Sequence, residues 1–179
     1  SIPEINELPD DDVETEFTSS EYIENVSKKV ENLYTDDVVF LFHSKSRKLP
    51  LPGKGIGEQI SSDKVTEYNE LAAIKNWRGM LSDAYTAPFK LHGMEWNSVE
   101  HYKQASKFKK HMGLYHLFSL DSNSELSKDV LMAIGMGSKL GKYKGKRIRS
   151  KEMKPDTTVN SSVEQYRARY AKFTQNDKL

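Results

Sequence analysis

The chain has 179 residues, no cysteine and a net charge of +1. The length is sufficient for one domain with a hydrophobic core, and the lack of cysteine excludes disulfides, thiolate metal sites and a cysteine nucleophile. The sequence contains neither a membrane-length apolar run nor a signal peptide. It therefore predicts a protein of the cytoplasm or nucleus, or of the inside of a virion, rather than a secreted or membrane protein.

Charge is divided unevenly along the chain. Residues 1–37 carry twelve Asp/Glu and two Lys, a net charge of −10, whereas residues 38–179 carry a net charge of +11. A basic body predicts an anionic partner such as a nucleotide or a nucleic acid. The alternative is that the two parts improve solubility and lie near each other. Residues 1–17 have few apolar anchors and are predicted to form a flexible acidic arm that a protein partner could bind.

Apolar periodicity and turn residues predict several elements in chain order. Thr18 and Glu21 have capping-box spacing and begin a predicted N-terminal helix within 18–37. The elements that follow are a buried strand at 38–42, a helix at 63–77, a hairpin at 89–96 turning at His92-Gly93, a helix at 127–135, and a terminal helix with the apolar stripe Val163, Tyr166, Tyr170 and Phe173. The residues predicted to be core after the central motif are Leu114, Tyr115, Leu117 and Phe118.

A glycine-rich loop at 53–57 follows the predicted strand. Such a loop can direct backbone N–H groups at a phosphate. Its spacing fits neither a P-loop nor a dinucleotide fingerprint, so an ordinary tight loop is the alternative. Glu58 is a candidate acid beside this loop.

The stretch from Trp96 to Phe108 has the densest run of chemically able side chains. Ser98 is a predicted N-cap, and Glu100 in the first turn suits the helix dipole. Glu100, Gln104 and Lys107 are spaced i, i+4 and i+7, so we expect them to stack along one side of a helix. An ordinary surface helix with an internal ion pair is the alternative. The residues expected on the opposite, apolar side are Val99, Tyr102, Ala105 and Ser106.

A basic run extends from residue 139 to residue 154, with eight Lys/Arg and one Glu. This composition predicts contacts with phosphates, including those of a nucleic acid. Tyr143 is its only aromatic residue, so a stacking platform for single strands is poorly supported, and a solvated basic loop is the alternative. The five histidines show no metal-ligand spacing, and no metal or other cofactor is predicted.

The sequence resembles the NADAR family, also called YbiA-like, over residues 38–179. The motifs that carry the resemblance are Phe42-His43-Ser44-Lys45-Ser46, Gly53-Lys54-Gly55-Ile56-Gly57-Glu58, Leu81-Ser82-Asp83, Pro88-Phe89, Gly93, Trp96, Ser98-Val99-Glu100-His101-Tyr102-Lys103-Gln104-Ala105-Ser106-Lys107-Phe108 and Ala171-Lys172-Phe173. The glycine-rich motif looks most similar to members from large DNA viruses.

This resemblance implies a mainly helical α+β fold, a single NADAR-like domain with a small β element. It also implies N-glycosidase or ADP-ribosyl hydrolase chemistry on a phosphorylated ribose, either in an ADP-ribose-type substrate or in a riboflavin-pathway intermediate. Glu100 matches the catalytic glutamate of the family, and Asp83 and Glu58 are candidates to assist it. The residues expected to bind substrate are Trp96, Lys54, Gly55, Ser44, His101, Gln104 and Lys107.

The sequence also departs from the family pattern. Asp83 replaces the usual asparagine, which changes an amide into an acceptor-only anion. The family's late tryptophan would fall near Thr157, and its final segment would lie beyond Leu179, so the domain is expected to be truncated at its C-terminal end. These departures leave three hypotheses: an active N-glycosidase, a degenerate relative that binds nucleotide or nucleic acid without turnover, and a structural or interaction subunit of a viral particle or larger assembly.

Overall fold

In a computed structural model of the chain, the residues described are Lys28, 38–40, 51–54, 57–176 and Leu179. They divide into two compact units. The first unit comprises the described residues up to Thr86 together with Leu179, and the second comprises residues 87–176. The predicted acidic arm lies outside the described residues, as does the predicted N-terminal helix apart from Lys28.

The described part of residues 51–86 contains two short α-helices, α1 (Asn69–Ala73) and α2 (Trp77–Met80), and the 3-10 turn Val65–Tyr68 precedes α1. The prediction of one continuous helix at 63–77 is therefore wrong. The helix ends because Ile74 has extended backbone (ψ 109°) and Asn76 is left-handed (φ 65°). Asparagine is among the few residues that adopt the left-handed region readily.

The strand predicted at 38–42 is reduced to a single bridge in the part that can be described. Val39 pairs antiparallel with Gln59 through backbone hydrogen bonds of 2.7 and 3.0 Å. Residues 38–40 are only half-buried, and residues 41 and 42 lie outside the described residues. Phe40 packs edge-on against the rings of Tyr68 and Trp77, so the apolar character of this run serves local packing.

The second unit begins with the predicted hairpin, which the structure confirms. Strands β1 (Phe89–Leu91) and β2 (Met94–Trp96) pair antiparallel, with Leu91 opposite Met94. His92 (φ 50°) and Gly93 (φ 67°) form the two-residue turn. Two successive left-handed residues match the twist of a tight hairpin, and glycine adopts this conformation without steric cost.

Four α-helices and a second small hairpin complete the described part of the second unit. The elements are α3 (Val99–Ala105), α4 (Met112–Leu117), α5 (Val130–Gly137), β3 (Lys142–Tyr143), β4 (Lys146–Arg147) and α6 (Ser161–Gln175), with 3-10 turns at Ser106–Phe108 and Leu120–Ser122. Helix α3 packs against both α5 and α6. The described chain is thus α+β and mainly helical, with two small antiparallel sheets.

The hydrophobic core of the second unit surrounds α3. Three of the four residues predicted after the central motif belong to it, whereas Leu117 is 42% exposed. The core residues are Phe89, Trp96, Val99, Tyr102, Ala105, Phe108, Leu114, Tyr115, Phe118, Leu126, Ala133, Met136, Ala168 and Ala171.

The terminal helix exists as predicted, but Val163 is the one residue of the predicted stripe that is buried. Tyr166 and Phe173 are 48% and 37% exposed, while Ala168 and Ala171 are buried in the core. Small alanines allow α6 to approach α3 closely, and the Tyr102 hydroxyl donates a hydrogen bond to the buried Glu164 of α6. These contacts determine which side of α6 faces inward.

The helix predicted at 127–135 is found as α5, and again the larger apolar residues face outward. Leu131 is 64% exposed and Ile134 is 38% exposed. The buried positions include Gly135 and Gly137. A Cβ at Gly135 would lie 2.4 Å from the Lys142 carbonyl oxygen, so only glycine permits this close approach.

Candidate functional site

The candidate site is built on α3, whose start is fixed by a side-chain cap. Ser98 has extended backbone, and its Oγ accepts a hydrogen bond of 3.3 Å from the backbone N–H of His101. This bond satisfies one of the donors that a helix leaves free at its N-terminus. The apolar side of the helix is fully buried, as expected from its spacing, and comprises Val99, Tyr102, Ala105 and Ser106.

The polar side of α3 carries a continuous line of hydrogen bonds. Gln104 Nε2 donates to Glu100 Oε1 at 2.5 Å, and Lys107 Nζ donates to Gln104 Oε1 at 2.6 Å. The other carboxylate oxygen, Glu100 Oε2, lies 3.6 Å from Lys103 Nζ. The predicted stacking of Glu100, Gln104 and Lys107 is therefore confirmed. With only 12% of its side chain exposed, Glu100 is held in a defined position rather than solvated on an open surface.

Lys107 connects this line to α5. Its Nζ also donates to the Gly137 carbonyl oxygen at 3.2 Å. Burial and the nearby positive charge of Lys103 lower the pKa of Lys107, and Glu100 opposes the shift. An ammonium group that is partly stripped of water gains more from a bound anion than a solvated one does.

Lys107 and Gly137 line a cavity of about 790 Å³, which we call the basic cavity. Six of its lining residues are cationic and one, Asp156, is anionic. The cations are Lys107, Lys139, Arg147, Arg149, Lys151 and Lys154. Thr157, near which the sequence comparison expected the family's late tryptophan, also lines it. The structure thus brings the predicted basic run together with the polar line of α3, and such a lining suits phosphate groups.

Asp156 is the acidic residue of the cavity lining, and its charge is already paired with a lysine that does not line the cavity. Its carboxylate forms an ion pair of 2.7 Å with Lys110 and accepts a hydrogen bond from Thr158. These hydrogen bonds lower the pKa of Asp156 far below its usual range. The backbone N–H of Asp156 also bonds to the Lys107 carbonyl oxygen at 2.8 Å, which fixes this part of the cavity wall to the end of α3.

Arg149 is a wall residue that the sequence did not single out. It is 5% exposed and donates hydrogen bonds to the carbonyl oxygens of Met136, Ser138 (2.8 Å) and Lys139 (3.0 Å). Its guanidinium also lies 5.4 Å from the ring centroid of Phe108. Arg149 therefore fastens the basic run to α5. Only its place in a lysine- and arginine-rich run was visible in the sequence, and no local pattern distinguishes it there.

His101 and Trp96 lie in the core instead of facing a ligand. His101 is 1% exposed, its Nδ1 lies 2.7 Å from Ser98 Oγ, and burial lowers its pKa to about 4. The Leu126 carbonyl opposes this shift, although no described group forms a well-aligned hydrogen bond with Nε2. Trp96 is 0% exposed and donates to the Leu91 carbonyl at 2.9 Å. Neither side chain is accessible to a ligand, so the prediction that His101 and Trp96 bind substrate is not supported.

The remaining predicted site residues belong to the first unit or lie outside the described residues. Both carboxylate oxygens of Glu58 accept hydrogen bonds from Arg78, at 2.9 and 2.7 Å, and the two side chains are buried. Glu58 is therefore committed to a structural ion pair. Lys54 is exposed and Asp83 is half-buried. Ser44 and Gly55 cannot be placed, since they lie outside the described residues.

No protein-family model, curated protein or solved structure matches the chain. The NADAR family assignment therefore stays a prediction that rests on the motifs in the sequence. Within the described ranges, no helix has the length and apolar character needed to span a membrane, and no cluster of three or more histidine or acidic side chains could bind a metal.

Proposed function

We propose that the chain is a NADAR-type N-glycosidase that hydrolyses a phosphorylated ribose N-glycoside, with Glu100 as the catalytic carboxylate. The observation that carries the proposal is the hydrogen-bonded line from Glu100 through Gln104 to Lys107 at the wall of the basic cavity. This line joins a shielded carboxylate to a group of cations within one unit. Hydrolysis of a phosphorylated ribose N-glycoside requires a carboxylate at the reacting carbon and cations at the phosphates.

The chemistry follows from the charges that develop during the reaction. Breaking the bond between C1′ of the ribose and the nitrogen of the base creates positive charge on the ribose, which a carboxylate stabilises. The same carboxylate can take a proton from the attacking water as its oxygen bonds to C1′, while the base departs with the electron pair of the broken bond. The departing base then takes up one proton, and release of the proton held by Glu100 regenerates the carboxylate. Gln104 holds Glu100 Oε1, so the carboxylate needs little reorganisation.

The cations of the basic cavity supply binding energy for the phosphates. Lys107 is the cation of the cavity that also donates a hydrogen bond to Gln104. A phosphate bound by Lys107 would therefore orient the sugar relative to Glu100. Lys151 and Lys154 also line this cavity, and their exposed side chains can bind the phosphates of the ligand. Charge-assisted bonds of this kind are about twice as strong as neutral ones.

The test compares Glu100→Gln with Glu125→Gln, a matched change at an exposed glutamate of the second unit. Glutamine at position 100 still accepts the Gln104 hydrogen bond, so we expect both variants to fold. Release of ADP-ribose from an ADP-ribosylated guanine oligonucleotide should fall at least about 100-fold in Glu100→Gln, since acid–base groups contribute that much. Glu125→Gln should retain wild-type turnover. Normal turnover in Glu100→Gln would refute the proposal.

A second candidate function is anion binding without turnover, and the density of cations at the basic cavity favours it. In that case the chain binds ADP-ribose or nucleic acid through Lys107 and the run at 139–154, and no ADP-ribose is released. Calorimetric titration with ADP-ribose at two salt concentrations separates the candidates. Binding that weakens steeply with salt, without product release in the parallel assay, would support the binding module over the enzyme.

A further inference from the structure

The second unit contains another cavity with a very different lining. It has a volume of about 580 Å³, within the usual range for small-molecule sites. We call it the methionine cavity because four of the six methionines of the chain line it. These are Met94 from β2, Met112 from α4, Met136 from α5 and Met153 from the segment after β4.

The methionine cavity and the basic cavity share one wall. Within residues 147–154, Arg147, Lys151 and Lys154 line the basic cavity, whereas Ile148, Ser150 and Met153 line the methionine cavity. Arg149 lines both. The apolar cavity therefore has a fixed cation in its wall and further cations behind it, so its electrostatic environment favours a ligand that carries negative charge.

We propose that the methionine cavity is a binding site for a planar aromatic group that carries an anionic substituent. Four methionines from separate segments line this one cavity, and methionine sulfur makes favourable contacts with aromatic rings while its flexible chain adapts to their outline. An aliphatic group of the same size would gain dispersion alone. The rim residues Leu117 and Met153 are 42% and 39% exposed, so the binding of a ring would remove apolar surface from water.

The proposal is independent of the glycosidase proposal, because it requires no turnover and the two cavities have only Arg149 in common. Glu100, Gln104 and Lys107, which form the hydrogen-bonded line of the proposed reaction, do not line the methionine cavity. Loss of N-glycosidase activity would leave aromatic binding intact, and failure of aromatic binding would leave the role of Glu100 untouched.

The test uses protein labelled with ¹³C at the methionine methyl groups and 2-naphthyl phosphate as the probe. We expect saturable, ring-current shifts of the methyl signals of Met94, Met112, Met136 and Met153. Met80 and Met132 do not line the cavity and are internal controls. Cyclohexyl phosphate has the same charge without a planar ring and should bind at least about tenfold more weakly. The proposal would be overturned if the four methyl signals did not shift, or if those of Met80 and Met132 shifted equally. Equal affinity for the two phosphates would also overturn it.

Two matched variants locate the site. Leu117→Gln places an amide at the rim of the methionine cavity, and Leu131→Gln makes the same change at an exposed helical leucine elsewhere. Both leucines are exposed, so we expect both variants to fold. Leu117→Gln should weaken binding of 2-naphthyl phosphate about tenfold, whereas Leu131→Gln should bind like wild type. Equal affinity in the two variants would show that the probe binds elsewhere.

Discussion

The basic cavity and the methionine cavity are neighbours with opposite chemistry. One contains six cationic side chains, and the other is formed largely by thioether and aliphatic groups. Residues 147–154 contribute to both, because successive side chains along this segment point to different sides. A run that appears uniformly basic in sequence is thus divided by the backbone into a polar wall and an apolar wall.

The two cavities also differ in how they are held. The basic cavity depends on hydrogen bonds, with Lys107 bound to Gln104 and to the Gly137 carbonyl. The methionine cavity depends on packing, since Met94, Met112 and Met136 all belong to the core or pack against it. Changes in charge and polar geometry should therefore affect the first cavity, changes in apolar shape should affect the second, and only changes in their common scaffold should affect both.

Arg149 is the part of that scaffold whose loss should have the largest effect. Arg149→Met removes three hydrogen bonds and leaves the carbonyls of Met136, Ser138 and Lys139 without this donor. We expect the free energy of unfolding to fall by roughly 3 kcal/mol, because each hydrogen bond from the charged guanidinium contributes about 1 kcal/mol or more. Urea unfolding measures this loss, and affinities for pyrophosphate and 2-naphthyl phosphate should both decline.

Arg147→Met is the matched control, since Arg147 is exposed and makes one hydrogen bond, to the Leu140 carbonyl. Its cost should stay below about 1 kcal/mol, as for most surface substitutions. Equal stability of the two variants would mean that Arg149 does not hold the wall shared by the cavities.

His101 should make the common scaffold sensitive to acid. Burial lowers its pKa to about 4, while the unfolded chain has the ordinary value of about 6.5. The native state resists protonation, so this contribution to stability is complete above pH 6.5 and declines as the pH falls toward 4. The loss between about pH 7.5 and pH 4.5 should be roughly 2 to 3 kcal/mol. His101→Gln should reduce this dependence in urea titrations at several pH values, whatever its stability at neutral pH. An unchanged pH dependence would assign acid sensitivity to other groups.

The sequence predicted α3 and its neighbourhood better than it predicted the cavities. The spacing of Glu100, Gln104 and Lys107, the Ser98 cap and the turn at His92-Gly93 are local features, and local geometry determines them. These predictions depended on residues at most seven positions apart. They required no knowledge of which helices pack together.

The faces of α5 and α6 could not be predicted in the same way, because their partner determines them. Ala168 and Gly137 face α3, where close approach requires small side chains, and the larger Tyr166 and Leu131 stay exposed. For α6, hydrophobicity alone favoured Tyr166 and Phe173 as buried residues, and both are partly exposed. The meeting of Lys107 with the basic run likewise depends on tertiary contacts such as the bond from the Asp156 N–H to the Lys107 carbonyl.

A pair of helical glycines provides the most selective test of the difference between the cavities. Gly137 lines the basic cavity, and an added Cβ would lie 1.9 Å from Gln104 Oε1. Gly137→Ala must therefore displace Gln104 and interrupt its bonds to Glu100 and Lys107. We expect a stability loss of about 1 to 3 kcal/mol from overpacking, with weaker pyrophosphate binding and lower turnover. Binding of 2-naphthyl phosphate should change much less, because Gln104 does not line the methionine cavity.

Gly113 is the counterpart in the methionine cavity, on α4, and an added Cβ there meets no atom within 4 Å. Gly113→Ala should raise the free energy of unfolding by about 0.5 to 1 kcal/mol, because alanine restricts the unfolded chain and favours the helix. Pyrophosphate binding and turnover should not change. Thermal and urea unfolding of both alanine variants would measure the two changes in the free energy of unfolding, which should have opposite signs. A Gly137→Ala variant that is also stabilised and keeps wild-type pyrophosphate affinity would contradict this prediction. The hydrogen-bonded line through Gln104 would then not support the basic cavity, and the two cavities would not differ in what holds them.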